Sequence, residues 1–190
     1  DTVFLSIAAG KTIRTLQERL DGTAAIVRAM PNTPAAVRSG VTVACALSFR
    51  WGGMSWLDAI CHTFSVMGLG GFSTHDASFG HFNSPLLEGV AVFFMLIAGM
   101  NFATLYLAVT GRSVVPYLKD PEAPWFLAVT LGSVLLVAAY IWANGVYESE
   151  AEALRHALFN VVSIATTTGL ATVDYALWPM FAPLWMLFLS

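Results

Sequence analysis

The stretch SWLDAICHTFSVMGLGGFSTHD, residues 55–76, returns in altered form as AEALRHALFNVVSIATTTGLATVD, residues 151–174. The two copies align at an offset of 98 residues through five identical pairs: Ala59 and Ala157, Ser65 and Ser163, Gly71 and Gly169, Thr74 and Thr172, Asp76 and Asp174. Each copy has the pattern of a short apolar helix, a turn rich in Gly or Thr, and a polar segment. Self-similarity of this kind predicts one structural unit that occurs twice in the chain.

Long apolar runs accompany both copies and indicate the class of protein. Residues 89–111 contain no charged side chain, residues 123–147 form a second uncharged run, and a third run extends from about residue 175 to Ser190. About 20 apolar residues suffice for a helix to cross a bilayer core of about 30 Å. Hydrophobic residues make up 57% of the chain and charged residues only 11%, where soluble domains carry about 25% charged residues. We therefore expect these runs to be transmembrane helices.

The two short helices of the repeat, about residues 55–66 and 152–164, cannot cross a membrane at about 1.5 Å per residue. We expect re-entrant loops, which a membrane tolerates where they are buried in protein or line a water-filled path. The basic residues of the link 112–122 predict a cytoplasmic position for it, and residues 148–156 then lie outside. The predicted fold is mainly α: a polytopic membrane protein with re-entrant pore helices in membrane-pore-membrane repeats, preceded by a short α/β fragment.

The turns at residues 68–71 and 166–169 combine glycines with small hydroxyl side chains. In such turns the carbonyl oxygens can face an axis and replace the water shell of a monovalent cation. A phosphate-binding loop and a plain turn are the alternatives, but a phosphate loop would follow a strand and carry a lysine. The few Lys and Arg residues argue against a nucleic-acid partner, and the four histidines lack a spacing suited to a metal site.

These motifs give residues 51–190 a specific resemblance to the second and third membrane-pore-membrane repeats of the Trk/Ktr-type bacterial potassium uptake proteins. The resemblance implies a multi-pass protein of the bacterial inner membrane, surrounded by lipid, in which four repeats enclose one potassium pathway. It implies transport of potassium ions with no enzymatic activity and no cofactor, and it makes Gly71 and Gly169 the filter glycines. The neighbouring filter backbone would consist of Met67, Gly68, Leu69, Gly70, Thr166, Thr167 and Thr168.

The resemblance also bears on partners, because only two of the four repeats are represented. A second copy of the chain is one source of the other filter loops, and a cytoplasmic nucleotide-binding regulatory subunit is an implied partner. Channel-type and coupled transport both stay open. Asp76 and Asp174 lie just beyond the filter positions, where they either attract cations or hold a turn. Glu88, near the outer end of the first long run, is assigned no function.

The first 46 residues have a different character. Six of the nine basic residues lie within the first fifty positions, and the pattern is that of a strand, a helix and a strand. Through SIAAG and RAMPNTPAAVRSGVT this segment resembles the end of the nucleotide-binding domain of pyrroline-5-carboxylate reductase. That resemblance implies an NADPH-side pocket formed by Ala8, Ala9, Met30, Pro31, Asn32, Thr33 and Pro34. We expect no reductase activity, because the glycine-rich pyrophosphate turn would lie upstream of residue 1.

The chain is therefore divided into an α/β fragment (1–46), a junction (47–53), a pore loop with a transmembrane helix (54–111), a cytoplasmic link (112–122), and a transmembrane helix, pore loop and truncated transmembrane helix (123–190). In this division the outer helix that should precede the first pore helix is missing. A fragment of cytosolic type is also attached to the outer end of a pore helix. We interpret the chain as a chimera of two unrelated proteins. The alternative functions are an NADPH-dependent reductase fragment of proline biosynthesis and a non-functional fusion.

Overall fold

The computed structural model describes residues 3–6, 25–28, 39–100 and 122–190. Within these ranges the chain is mostly helical, with α1 Ser39–Trp51, α2 Trp56–Gly68, α3 Pro85–Gly99, α4 Glu122–Ala143, α5 Glu150–Ala165 and α6 Phe181–Leu189. Two 3₁₀ helices, η1 Ser78–Phe82 and η2 Tyr175–Leu177, follow α2 and α5. The strands are β1 Val3–Ser6 and β2 Ala25–Arg28.

The two strands pair in parallel, with Val3 opposite Ala25 and Ser6 opposite Arg28. A parallel pair fits the strand-helix-strand pattern of the front segment, because parallel neighbours need a crossover between them. The connecting stretch lies outside the described residues. So do the positions of the NADPH-side pocket, namely Ala8, Ala9 and residues 30–34, and that pocket stays a prediction.

The two short helices begin at serine caps. The Ser55 hydroxyl accepts from the amide of Asp58 at the start of α2, and the Ser149 hydroxyl accepts from the amide of Ala151 at the start of α5. These bonds satisfy backbone donors that an α-helix leaves without an internal partner. The helices lie within two residues of the predicted bounds, and neither is long enough to span a membrane.

The repeat includes the helix that precedes each short helix, because α1 and α4 end in the same way. Matching backbone hydrogen bonds close both ends: Gly52 to Ser48 and Met54 to Phe49 after α1, and Asn144 to Tyr140 and Val146 to Ile141 after α4. Each turn contains a glycine with positive φ, as is common where a helix ends. One unit is therefore α1, α2 and α3, and the other is α4, α5 and α6.

Helix α1 differs from the sequence-based division. Residues 39–46 were expected to end the α/β fragment and residues 47–53 to form a junction, with no outer helix before the first short helix. A single helix instead runs from Ser39 to Trp51. Its β-branched residues favoured a strand, but Cys45 and Phe49, four residues apart, are both fully buried. That spacing is typical of one helix face packed on a neighbour.

Arg50 explains why the charge distribution misplaced the boundary. It was counted with the basic front segment, yet it lies in the last turn of α1. Its Nη1 donates to the carbonyl of Met54 at 3.0 Å, and the guanidinium lies 5.6 Å from the centre of the Trp56 ring. Arg50 thus closes the turn between α1 and α2, and the change in charge near residues 46–53 is not a structural boundary.

Of the described residues, one helix is long and apolar enough to cross a membrane, namely α4 with 22 residues. It ends before the predicted residue 147, because Gly145 adopts a φ of 71° and turns the chain. Helix α3 begins four residues before the predicted span 89–111 and is described up to Gly99. The rest of that span, and the link up to residue 121, lie outside the described residues.

Helix α6 begins later than the sequence pattern predicts. The third apolar run was expected to be helical from about residue 175, but η2 comes first and α6 starts at Phe181. Trp178 is extended, with φ of −69° and ψ of 156°. It precedes Pro179, and a residue before proline is disfavoured in the α region by a clash with the proline ring.

The two units share an aromatic core. Phe79 of η1 is fully buried, and its ring centre lies 5.9 Å from that of Phe49 in α1 and 5.0 Å from that of Phe159 in α5. Rings at such distances contribute about 0.5–1.5 kcal/mol beyond their buried area. Phe79 therefore fixes the polar segment of the first unit against the short helix of the second.

Candidate functional site

The turns after α2 and α5 have the same backbone geometry. Leu69 and Thr167 are left-handed, with φ of 52° and 57°, and Gly71 and Gly169 have φ of 70° and 85°. The same hydrogen bonds close both turns: Leu69 to Val66 and Gly70 to Ser65 after α2, and Thr167 to Ile164 and Thr168 to Ser163 after α5. The sequence repeat is thus also a structural repeat.

Both turns hold backbone strain. A left-handed residue with a side chain costs about 1–2 kcal/mol, and for a β-branched residue such as Thr167 the conformation is a genuine outlier. Such strain persists where the surrounding structure enforces it, and it concentrates at functional sites. Because the strain occurs at equivalent positions in both units, it marks the turns as the candidate site.

The backbones of the two turns touch each other at their glycines. A Cβ atom on Gly71 would lie 2.5 Å from the carbonyl oxygen of Thr168 and 3.3 Å from Cα of Gly169, and one on Gly169 would lie 3.8 Å from Cα of Gly71. Distances under 3.0 Å are not tolerated between a Cβ and a backbone atom. The contact therefore brings main chain against main chain, with no room for a side chain on Gly71.

The predicted filter residues fall into two groups. Leu69, Gly70, Gly71, Thr167, Thr168 and Gly169 lie in the turns, and Thr166 caps α5, whereas Met67 and Gly68 are the last two residues of helix α2. The Thr166 hydroxyl lies 2.8 Å from the carbonyl of Val162 and 2.7 Å from the Thr168 hydroxyl. These hydroxyls are thus engaged within their own unit.

The electrostatics of the turns favour a cation. Both α2 and α5 end at a turn, and the carboxyl end of a helix carries a partial negative charge. No charged residue occurs within 67–71 or 166–169. The attraction comes from backbone dipoles rather than from a fixed charge, and such a lining binds a cation without holding it too tightly.

An ion pair that the sequence analysis did not anticipate joins the two units. Arg155 Nε donates to Glu88 Oε2 at 2.7 Å, and Arg155 Nη2 donates to Glu88 Oε1 at 2.6 Å and to Asn83 Oδ1 at 2.9 Å. Glu88 is 4% exposed. The sequence contained one indication of this pair, namely a glutamate among apolar residues at the start of a long apolar run. A charge in such a place needs a partner.

The two aspartates beyond the turns line an open cavity of about 380 Å³ together with residues of η1 and Thr172. Asp174 Oδ1 accepts from the amide of Ala176 at 3.0 Å. Of the two roles predicted for these aspartates, Asp174 therefore performs the turn-holding one. Attraction of cations by Asp76 and Asp174 stays a prediction.

Asp58 lies in the first turn of α2 and receives hydroxyl hydrogen bonds from both sides. Thr74 Oγ1 donates to its Oδ1 and Ser55 Oγ donates to its Oδ2. His75 Nε2 lies 3.3 Å from Oδ1. The bond from Thr74, followed by the bond from Ser55, lowers the pKa of Asp58 below its ordinary value, because both bonds favour the charged carboxylate.

The lowered pKa of Asp58 predicts a pH dependence of stability. Its carboxylate stabilises the fold fully above the ordinary pKa of about 3.9, and this contribution is lost as the pH falls through the lowered folded value. We expect the midpoint of thermal unfolding of the purified protein to fall between pH 5 and pH 3 by a few degrees more than that of Asp58→Asn. Asp76→Asn is the control and should behave like the parent. Equal falls for all three proteins would contradict the assignment.

Comparison with known proteins identifies the class to which this geometry belongs. The chain is 43% identical over 147 residues to the Trk system potassium uptake protein TrkH of Salmonella typhimurium, covering 77% of this chain and 30% of that protein. It is 35% identical over 140 residues to the protein TrkI of Halomonas elongata, covering 73% and 28%. These relatives are transport proteins of membranes. The chain spans less than a third of their length.

Structure and family comparison agree with this class. The crystal structure of the potassium transporter TrkH from Vibrio parahaemolyticus superposes with a TM-score of 0.77 at 34% identity, covering 96% of this chain and 37% of that one. The model of the family TrkH, a cation transport protein, matches residues 35–190. This chain belongs to that family of cation transport proteins.

These findings test several expectations from the sequence. The mainly helical fold and the Trk resemblance are confirmed, and the family consists of transport proteins, which agrees with the expectation of no enzymatic activity. Nothing in the comparisons supports the reductase resemblance. The family match begins at residue 35, inside the segment assigned to the reductase, so the part of the chain that matches the family extends further toward the N-terminus than the expected junction.

Proposed function

We propose that this chain forms two neighbouring membrane-pore-membrane repeats of a potassium uptake pathway. In this proposal α2 and α5 are re-entrant pore helices, and the turns 68–71 and 166–169 are two strands of the selectivity filter. The observation that carries the proposal is the contact of Gly71 and Gly169 at the ends of two equivalent helices. The choice of potassium as the transported ion rests on the relatives, which are named as a potassium uptake protein and a potassium transporter.

The chemistry follows from the backbone. A potassium ion that enters the filter exchanges its water shell for carbonyl oxygens, and the positive φ values allow those carbonyls to face a common axis. The carboxyl ends of the pore helices add a partial negative charge at the same place. No covalent step and no cofactor are needed, because the ion passes unchanged.

The remainder of the filter comes from outside the two repeats. Since this chain covers 30% of the length of its relative, we propose that further repeats complete the ring, with a second copy of the chain as the alternative source. A cytoplasmic nucleotide-binding regulatory subunit is a further proposed partner. The filter faces the outside of the bacterial inner membrane, and residues 112–122 face the cytoplasm.

Helix α1 supplies a helix before the first proposed pore helix, and the expected absence of such a helix was one ground for interpreting the chain as a chimera. In the proposed unit α1 is the outer end of the first membrane helix, equivalent to the end of α4. The parallel pair β1–β2 is common to many α/β proteins and does not by itself favour a reductase.

The proposal is tested by a segment exchange. In the swap transporter, residues 39–190 of this chain replace the segment that they match in the Salmonella typhimurium relative. We expect it to restore growth of a potassium-uptake-deficient bacterium at low external potassium. The variant Gly71→Ser with Gly169→Ser is the control, and it should fail to restore growth while reaching the membrane at the same level. A swap transporter that is present in the membrane at the relative's level but does not restore growth would contradict the proposed function.

A further inference from the structure

In each unit a buried polar side chain of the short helix holds the segment that follows the filter turn. In the first unit this residue is His62, which is fully buried. Its Nδ1 lies 2.9 Å from the carbonyl oxygen of Asp58, and its Nε2 lies 2.9 Å from the hydroxyl of Ser73. Ser73 comes two residues after Gly71, so the bond fixes the chain just beyond the filter.

In the second unit the equivalent residue is Asn160, at the same offset of 98 residues, and it is also fully buried. Its Nδ2 donates to the carbonyl of His156 at 2.8 Å and lies 2.9 Å from the hydroxyl of Thr172. Its Oδ1 accepts from the amide of Thr172 at 3.3 Å. Thr172 comes three residues after Gly169.

The two residues therefore make the same pair of connections with different chemistry. Each binds the carbonyl one helical turn earlier and a hydroxyl just beyond the filter glycine. A carbonyl only accepts, so His62 Nδ1 carries the hydrogen, and the Nε2 of the neutral ring accepts from Ser73. The Ser73 hydroxyl also accepts from the amide of His75 at 3.2 Å, so its donor and acceptor functions are both used.

The surroundings of His62 make these bonds difficult to replace. The rings of Phe79 and Phe82 meet the imidazole edge to face, with centres at 5.6 Å and 5.1 Å. In such an apolar setting a polar group that loses its partner is not compensated by solvent. The segment after the turn is consequently held by a bond that water cannot readily take over.

We propose that His62 and Asn160 are positioning residues for ion selection, because they hold the segments that follow the filter turns and thereby keep the backbone at Gly71 and Gly169 in register. This inference rests on the proposed function. Neither residue touches the ion, and each acts through the hydroxyl that it binds. Because a filter discriminates between ions by the placement of its carbonyl oxygens, loosening the segment lowers the preference for potassium over sodium.

The first test uses the swap transporter and compares uptake of rubidium, as a potassium analogue, with uptake of sodium. We expect His62→Leu and Asn160→Leu each to lower the rubidium-to-sodium ratio about tenfold, since each removes hydrogen bonds in a buried site. The control is Phe64→Leu, which replaces one exposed apolar side chain of the same helix by another. It should keep the ratio within about threefold of the parent.

The outcomes separate the inference from the proposed function. A parental ratio for His62→Leu at equal membrane level would overturn the inference, and so would an equal loss of the ratio in Phe64→Leu. Hydrogen exchange is measured in the purified parent and in His62→Leu, and this measurement does not require that the parent transports ions. His62→Leu should speed exchange of the amides at residues 73–75 and leave those of α3 unchanged. Unchanged exchange at residues 73–75 in His62→Leu would show that His62 does not hold the segment. If exchange there rises in His62→Leu but the parent does not transport, only the proposed function is rejected.

Discussion

Gly71→Ala in the swap transporter is expected to reduce potassium uptake by about a hundredfold, because a displacement of about 1 Å in a precisely arranged site can have an effect of that size. The added Cβ would lie 2.5 Å from the carbonyl oxygen of Thr168, so one of the two turns must move. Alanine also resists the φ of 70° at this position, at a cost of about 1 kcal/mol or more. Initial rates of rubidium uptake at matched membrane levels measure the effect.

The chain supplies matched controls for this substitution. Gly89 in α3 and Gly132 in α4 have no heavy atom within 4 Å of the position that a Cβ would take. Both lie within helices, where alanine is favoured over glycine by about 0.5–1 kcal/mol. Gly89→Ala and Gly132→Ala should therefore leave uptake within about twofold of the parent.

Gly169→Ala separates the two causes of the effect. Its Cβ would meet Cα of Gly71 at an ordinary distance of 3.8 Å, but its φ of 85° is still unfavourable for alanine. We expect an intermediate loss of about tenfold, which corresponds to about 1.4 kcal/mol. Parental uptake by Gly71→Ala would show that the contact of the two turns is not part of the ion pathway.

The sequence predicted these turns because their determinants are local. A short helix followed within a few positions by a glycine specifies a helix end and a turn, and its recurrence at an offset of 98 residues marks it as one unit. The strain at Leu69 and Thr167 was not predictable in the same way. Neither residue favours a left-handed conformation, so only the surrounding structure can impose it.

Other features escaped prediction because they depend on tertiary packing. The β-branched residues of α1 favour a strand locally, and only burial of Cys45 and Phe49 on one face identifies the helix. The bond from His62 to Ser73 spans 11 residues of chain. Its signal in the sequence was a polar residue within an apolar helix, which indicates that a partner exists but does not identify it.

Removal of the ion pair between the units is expected to give the largest loss of stability. Arg155→Met leaves Glu88, only 4% exposed, without its bidentate partner. Removal of one member of a buried pair costs about 3–5 kcal/mol, because an uncompensated charge stays in the interior. The free energy of unfolding of the purified protein in detergent, obtained from denaturant titration, measures this loss.

A double-mutant cycle distinguishes a true ion pair from a general effect of truncating Arg155. Glu88→Gln should cost less than Arg155→Met, because the side chain of Arg155 is 26% exposed and keeps its bond to Asn83. The double variant should be more stable than Arg155→Met alone by about 1–3 kcal/mol, since the amide carries no charge to leave unpaired. Glu152→Gln, on the exposed face of α5, is the control and should change stability by less than about 0.5 kcal/mol.

The position of this pair gives the prediction a functional consequence. Glu88 belongs to α3, which follows the turn of the first unit, and Arg155 belongs to α5, which precedes the turn of the second. The pair therefore joins two helices next to the turns that meet at Gly71 and Gly169. If the pair sets their relative position, Arg155→Met should lower rubidium uptake in the swap transporter under conditions where most of the protein is still folded, and Glu88→Gln in the same protein should restore part of it. Because the double variant lacks the ion pair but also lacks the buried charge, full restoration would mean that the pair protects the fold and does not align the two turns. Partial restoration of uptake together with recovered stability would assign the remaining deficit to alignment.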